Sequence, residues 1–512
     1  MTRETTRLRT RREQRGGPGL RQLPWRNLRN PYKPIEVLSA DHLEAIHQTS
    51  LRILEEHGIE FLDNESLGLL KAAGADVTAG SNLVRFDRGL IIENIAKAPS
   101  EFTLHARNPQ RNLTMGGNNI NFASVASAPN VSDLDRGRRP GNFEDYCNLL
   151  RLCQTFNVVQ LIGGYPVEPA DIPPATRHLD AHHAAITLTD RVWHPYSLGK
   201  TRISDAIGMI KIARGFISDE QLRREPSIFS IVNSNSPRRL DGPMLQGLLE
   251  MARHGQPVVL TPFTLSGAMA PATVAGALAQ QNAEALAGIS LIQIVAPGVP
   301  CMYGGFTSNV DMKTGAPAFG TPEYTRAALA GGQLARKYCI PYRSSNACAA
   351  NSVDAQAAYE SEMSIWGAVM GYANLVLHGA GWMEGGLVAS FEKLVLDAEM
   401  LQTMSEFLQP IIVNDDTLAL DAIAEVAPGG HFFGATHTLQ RYESAFYAPI
   451  LSDWRNFETW REAGAFDTAK RANVIWKQAL ADFQPPPLDP AIDEALKEFV
   501  AKRKEQGGVL AA

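Results

Sequence analysis

The chain has 512 residues, 45% of them hydrophobic and 20% charged, with a formal net charge of −6. This balance suits a globular enzyme with a large core and gives no reason to expect a nucleic-acid partner. No apolar run approaches the roughly 18 residues of a membrane helix, and five scattered cysteines without a C-x-x-C pair point to reduced thiols and a cytoplasmic setting.

Residues 1–34 read as a flexible basic arm, with nine arginines from Arg3 to Arg29. No apolar stretch follows Arg11-Arg12, which excludes a twin-arginine signal. Residues 35–120 read as an N-terminal cap. A helix is predicted there from Asp41 as N-cap, with Glu44 three residues on completing a capping box, and its end falls at Gly58.

From 121 to 408 one unit repeats eight times: a short apolar run, then an amphipathic helix. The strands are expected at 120–125, 158–163, 192–198, 227–232, 257–262, 300–304, 341–345 and 374–379. The helices are expected at 143–156, 175–189, 204–216, 243–254, 273–294, 322–338, 355–372 and 391–407. Eight such units in a row predict an α/β fold of the (β/α)8 TIM-barrel type. Residues 409–512 then form a C-terminal helical extension, with helices expected at 415–427, 460–483 and 490–505.

In such a barrel the chemistry sits where strands end. The segments in question carry Tyr165, Tyr196, Phe263, Tyr303, Phe306 and Trp382, interleaved with glycine pairs that let backbone approach a ligand. An aromatic-lined pocket with few charges suits a cation without N–H donors, such as a quaternary ammonium. Some of these rings can equally pack inside the fold. Arg343 and His378 are the mouth positions best able to hold a carboxylate, or else pair with an acid such as Glu384. Asn346 and the Asn233/Asn235 pair can orient a polar ligand or cap helices.

Other motifs fall short. His178-Leu-Asp-Ala-His182-His183 lacks the glutamate of H-E-x-x-H and reads as an outer or packing face of a helix. Cys301 and Cys348 come from different loops with no histidine to complete a zinc set, so no bound metal is expected. Nucleophile-elbow, phosphate-loop and dinucleotide motifs are missing.

Four segments carry a more specific signal: Asp354-Ala-Gln356-Ala-Ala-Tyr-Glu360; Gly371-Tyr-Ala-Asn374-Leu-Val-Leu-His378-Gly-Ala-Gly381-Trp-Met-Glu384-Gly385-Gly386; Ser390-Phe-Glu392-Lys393-Leu-Val-Leu-Asp397-Ala-Glu399; and Gly429-Gly430-His431-Phe-Phe-Gly-Ala-Thr-His437-Thr438-Leu439. Together they resemble the trimethylamine methyltransferase family over about residues 35 to 505. The resemblance implies methyl transfer from a methylated amine to Co(I) of a corrinoid (cobalamin) carried by a separate protein. The best-known archaeal members use pyrrolysine; this chain has none, and Arg343–Ser352 is where its replacement is sought. Members without it look like quaternary-amine enzymes, with glycine betaine as an example.

The chemistry is consistent with that shift. A quaternary amine departs as a neutral tertiary amine, so no acid is needed; the protein must desolvate the cation and orient one methyl. Tyr165, Tyr196, Phe263, Tyr303, Phe306 and Trp382 are then cage candidates, Arg343 and His378 a carboxylate clamp, and Glu384 an electrostatic partner of the ammonium. The His431–Thr438 loop is a candidate docking rim for the corrinoid protein. A non-catalytic quaternary-amine binder and a metal-dependent barrel lyase are the competing readings, and a homo-oligomer is open.

Overall fold

The computed structural model describes residues 20–509; most of the arginine-rich arm, residues 1–19, lies outside that span. The fold is mixed α/β. Its central sheet has seven strands: β1 (Leu28–Arg29), β2 (Asn119–Ser124), β3 (Ser230–Ser234), β4 (Val258–Pro262), β5 (Cys301–Gly304), β6 (Tyr342–Ser345) and β7 (Leu375–Ala380). They lie in the order β1-β2-β7-β6-β5-β4-β3. Every pairing from β2 round to β3 is parallel, and β1 adds antiparallel to the outer edge of β2. Parallel strands need cover on both faces, and Val258, Val259, Leu260, Leu375 and Val376 are accordingly all fully buried.

The connecting helices fall close to the predicted spans, at Phe143–Thr155, Arg177–Leu188, Lys200–Arg214, Gly242–Arg253, Val274–Val295, Pro322–Lys337, Ala355–Met370 and Phe391–Phe407. Local caps fix most of their starts: Asn142, Asp241, Thr273, Thr321, Asp354 and Ser390 each accept a backbone N–H in the first turn. The cap-region helix Ala40–Arg52 starts at Ser39, whose side chain accepts the His42 N–H, in place of the expected Asp41. It continues through a π-turn to His57 and stops at Gly58, where φ is +69°.

Two expected strands, 158–163 and 192–198, do not form ladders. Leu161 pairs with Ala123, Ile162 with Trp193, and Trp193 with Ile228, each through a single parallel bridge. The sheet defined by continuous ladders is therefore open between β2 and β3. The physical cause is that side chains take the ladder positions. In the 158–163 segment the Gln160 side chain accepts the Phe122 N–H (2.9 Å) and donates to the Arg26 carbonyl (2.8 Å), and the buried Arg191 donates to the Val159 carbonyl. Pro195 has no N–H to offer. His194 occupies the place of a strand partner, as described below.

Described residues of the arm strap across this region. Gln22 donates to the Thr155 carbonyl (2.7 Å), the Leu23 N–H to Gln402 (2.7 Å), and Arg26 pairs with Glu406 (3.0 Å). An antiparallel pair, Glu101–Leu104 with Leu113–Gly116, sends Leu104, Leu113 and Met115 into the same inner core as Phe229, Val259 and Met302 of the central sheet.

Beyond Phe407 the expected 415–427 helix is two short ones, Asp415–Leu418 and Leu420–Glu425, broken at Ala419, where φ is +54°. The 460–483 helix is likewise split into Phe457–Glu462 and Thr468–Ala481, while Pro490–Glu505 forms as expected. Among the described residues no helix is long and apolar enough to cross a membrane.

Candidate functional site

A cavity of about 420 Å³ lies at the C-terminal ends of the parallel strands. Ala126 and Ser127 beyond β2, Asn233 of β3, Arg343 of β6 and His378 of β7 line it, together with Gly163, Tyr165, His194 and Tyr196 from the two bridging segments. Its rim at Pro174, Leu198 and Arg202 reaches solvent.

One wall is aromatic. The Tyr165 and Tyr196 rings are 4.5 Å apart between centroids, tilted by 49°. The Tyr196 hydroxyl accepts the Tyr165 N–H (2.9 Å) and the Ser127 hydroxyl proton (2.9 Å), which fixes the ring against both loops. Burial raises the Tyr165 and Tyr196 phenols above their usual range, so both are neutral. His194 stands behind Tyr196 at 5.2 Å, edge to face, and stacks on Phe229. Its Nδ1–H donates to the Gly163 carbonyl (2.7 Å), and its Nε2 accepts the Ile231 N–H (3.0 Å). Both ring nitrogens therefore replace backbone ladder partners, and burial holds the ring down at about 4. His182 completes this wall, 6.1 Å from Tyr165 and 4.6 Å from Trp193; burial and the nearby His178 and His194 keep it neutral.

The other wall carries a cation. Arg343 is 2% exposed, and its guanidinium lies 5.2 Å above the Phe306 ring. Its described polar contact is a long one, 3.5 Å to the Gly305 carbonyl, and its Nε has none. Among the described residues no carboxylate pairs with it. Burial lowers it to about 10, still cationic at neutral pH. His378 sits in a bulge, since Val376 faces Phe122 while Ala380 faces Ser124. Its φ of +56° is an uncommon conformation for a side chain other than glycine, and it turns the imidazole out of the strand's alternation. The Nδ1 accepts the Ala126 N–H (3.3 Å), so the neutral ring carries its proton on Nε2. Burial, then the neighbouring Arg343, holds its pKa well below the usual value.

Of the remaining expected residues, Phe263, Phe306 and Trp382 lie behind this wall. Phe306 stacks on Phe263 at 5.1 Å and meets Trp382 edge-on at 6.1 Å, and Trp382 stacks on His378 at 5.1 Å. Tyr303 is placed in the core, its hydroxyl donating to Asn282 (3.1 Å) and accepting from Gln281 (3.3 Å). Asn346 is buried and donates to the Gly379 carbonyl (3.0 Å). Glu384 pairs with Arg138 (3.0 Å). None of these six is on the cavity lining.

Sequence reasoning missed other lining residues. His178 and His182 are buried on the cavity side of their helix, with His178 donating to Asp205 (2.8 Å), where an outer or packing face was expected. Their i, i+4 spacing marked a shared face without saying what that face meets. Among the described residues Glu168 is the one lining acid and pairs with Arg177, which leaves Arg343 and the rim Arg202 without a carboxylate partner. Among the described residues no group of three His, Cys, Asp or Glu side chains is arranged to hold a metal, and burial pushes the Cys301 thiol up to about 12.

Neutral rings facing an unpaired guanidinium define a pocket for an uncharged or cationic group joined to an anion. Relatives carry the class further. Residues 3–508 match the family model described as trimethylamine methyltransferase. The chain is 37% identical over 473 residues to the glycine betaine methyltransferase of Desulfitobacterium hafniense, covering 92% of this chain and 98% of that one. It is 28% identical to a trimethylamine methyltransferase of the same species (92% and 94% covered) and to one of Methanosarcina mazei (91% and 95%). The crystal structure of the Methanosarcina barkeri monomethylamine methyltransferase superposes distantly, with a TM-score of 0.45 at 11% identity over 92% of this chain and 93% of that one. The chain belongs to the trimethylamine methyltransferase family, and it is a methyltransferase.

Proposed function

We propose that the protein moves a methyl group from a quaternary ammonium carboxylate, such as glycine betaine, to Co(I) of a corrinoid held by a separate protein. The observation that carries this reading is the buried Arg343 guanidinium, without an acid partner among the described residues, sharing one cavity with the Tyr165/Tyr196 pair. A buried cation left without a counter-ion is costly; a substrate carboxylate supplies the missing charge, with the His378 Nε2–H as a second donor. The trimethylammonium end then meets the tyrosine faces, where quadrupole attraction replaces lost hydration.

The methyl acceptor supplies the nucleophile, and the C–N bonding pair leaves with the nitrogen as a neutral tertiary amine. No proton has to move, in keeping with phenols and imidazoles that burial holds neutral. The residues' task is orientation and exclusion of water. Glycine betaine methyltransferase as the name of a 37% identical relative supports the choice of substrate.

We also read the parallel strands as eight staves of a (β/α)8 barrel, with the Leu161–Ile162 and Trp193 bridges as its two weakest staves. Ala123, Leu161, Val192, Phe229, Val259, Met302 and Leu375 sharing one inner core supports closure.

The test is anaerobic incubation with cob(I)alamin and a panel of glycine betaine, carnitine, choline and tetramethylammonium. Loss of the Co(I) absorbance is expected with a betaine and not with choline. No change with any of the four contradicts the proposal.

A further inference from the structure

We infer that the substrate is a betaine whose carbon between ammonium and carboxylate carries a neutral hydrogen-bonding side chain, and that His182 reads that side chain. The inference deepens the proposed function and rests on it. Helix Arg177–Leu188 closes one side of the cavity with His178 and His182, which share a face at i, i+4. His182 is 2% exposed, and its ring packs against three others, 4.6 Å from Trp193, 5.9 Å from His178 and 6.1 Å from Tyr165 between centroids. Among the described residues no hydrogen bond engages either of its nitrogens.

His178 is held more firmly. Its Nε2–H donates to Asp205 (2.8 Å), and Asp205 accepts in turn from Arg503 of helix Pro490–Glu505 (2.6 Å). The His178 Nδ1 is left as an acceptor, buried and without a partner among the described residues. Buried polar groups are normally hydrogen-bonded. Two imidazoles with free nitrogens on one cavity-facing turn point to a partner that arrives with the ligand.

Glycine betaine does not supply that partner. Its carboxylate is engaged by Arg343 and His378, and its methyl groups carry neither donor nor acceptor. At about 30 Å³ per non-hydrogen atom it also fills only about 240 Å³, in a cavity of about 420 Å³. With both ends held, the carbon between them is the one free to branch. A neutral imidazole offers one N–H and one lone pair, and burial keeps His182 neutral. The matching group both donates and accepts, as a hydroxyl or a carboxamide does. A carboxylate would use the N–H alone, an ammonium the lone pair alone, and an apolar group neither. The substrate class is therefore an N-trimethylated α-amino acid with a hydroxyl or carboxamide side chain.

The experiment is calorimetric titration of the full chain, without acceptor, so that it reads binding apart from methyl transfer. The ligands are glycine betaine and three pairs of trimethyl betaines matched in shape: serine with α-aminobutyrate, homoserine with norvaline, and asparagine with leucine. At least one polar member should bind roughly twofold to tenfold tighter than its apolar match. His182→Phe, which keeps a ring and removes both nitrogens, should bring that ratio close to one. No preference in any pair, or a preference that His182→Phe leaves intact, overturns the inference; if glycine betaine binds all the same, the proposed function stands. No binding of any betaine overturns both. Should the variant fail to fold, nitrogen resonances of isotopically labelled histidines in the wild type decide. An imidazole signal that moves with a polar betaine and not with its apolar match supports the inference; signals that respond alike to both, or to neither, overturn it.

Discussion

The Arg343 guanidinium stands 5.2 Å over the Phe306 ring, held by an aromatic face and facing no carboxylate among the described residues. The ring stabilises the cation, though it cannot neutralise it. Substitution by Met should therefore leave the fold in place and weaken binding of a carboxylate-bearing substrate. A lost charge-assisted contact of about 1.5–3 kcal/mol corresponds to roughly a tenfold to hundredfold fall in kcat/KM. The matching control is any slow turnover of tetramethylammonium, which should be unaffected because it presents no carboxylate.

Tyr196 combines a cage face with a hydrogen-bonded anchor. Tyr196→Phe keeps the ring and removes the acceptor of the Tyr165 N–H. Unfolding by denaturant should show a loss of about 1–3 kcal/mol, with KM nearly unchanged. Tyr196→Leu removes the π face as well, and should raise KM by about 0.5–2 kcal/mol in binding energy, or roughly twofold to thirtyfold.

His194 makes stability depend on acidity. Its folded value is about 4, against an unfolded value near 6.5. Between those limits the unfolded chain binds more protons, so stability rises with pH; the contribution is present in full above about 6.5 and is lost as pH falls towards 4. The depression corresponds to about 3 kcal/mol across the window. Melting temperature measured from pH 7 down to 4.5 should fall more steeply for the wild type than for His194→Gln. Parallel slopes would show that another group governs the acid limb.

Lys393 and Asp397 form a fully buried pair, and Asp397 also accepts the Gly381 N–H (2.7 Å) beside the end of β7. Asp397→Ala leaves a buried ammonium without its partner and should destabilise by about 3–5 kcal/mol. The double change Lys393→Met, Asp397→Leu should recover much of that loss in urea titration.

What the sequence made legible follows from what is local. Helix spans came within a few residues because amphipathic period and caps such as Asn142, Asp241 and Ser390 act within one turn. The strands expected around Leu161 and Trp193 reduce to single bridges because the Gln160, Arg191 and His194 side chains bond backbone groups far along the chain, which no window of residues displays. At the candidate site, Tyr165, Tyr196, Arg343 and His378 line one cavity. Tyr303 does not, because its hydroxyl finds Gln281 and Asn282 behind the sheet. The bulge that turns His378 is a register event between β2 and β7, and the histidine pair on Arg177–Leu188 faces the cavity only because of how that helix docks.

The most direct measurement is the rate of Co(I) loss with glycine betaine, for the wild type and for Arg343→Met side by side under anaerobic conditions. Rapid loss in the wild type, and a rate at least tenfold lower at limiting betaine in the variant, is the expected result. Equal rates in the two, or no betaine-dependent loss in the wild type, would contradict a carboxylate held by Arg343 in front of the tyrosine pair.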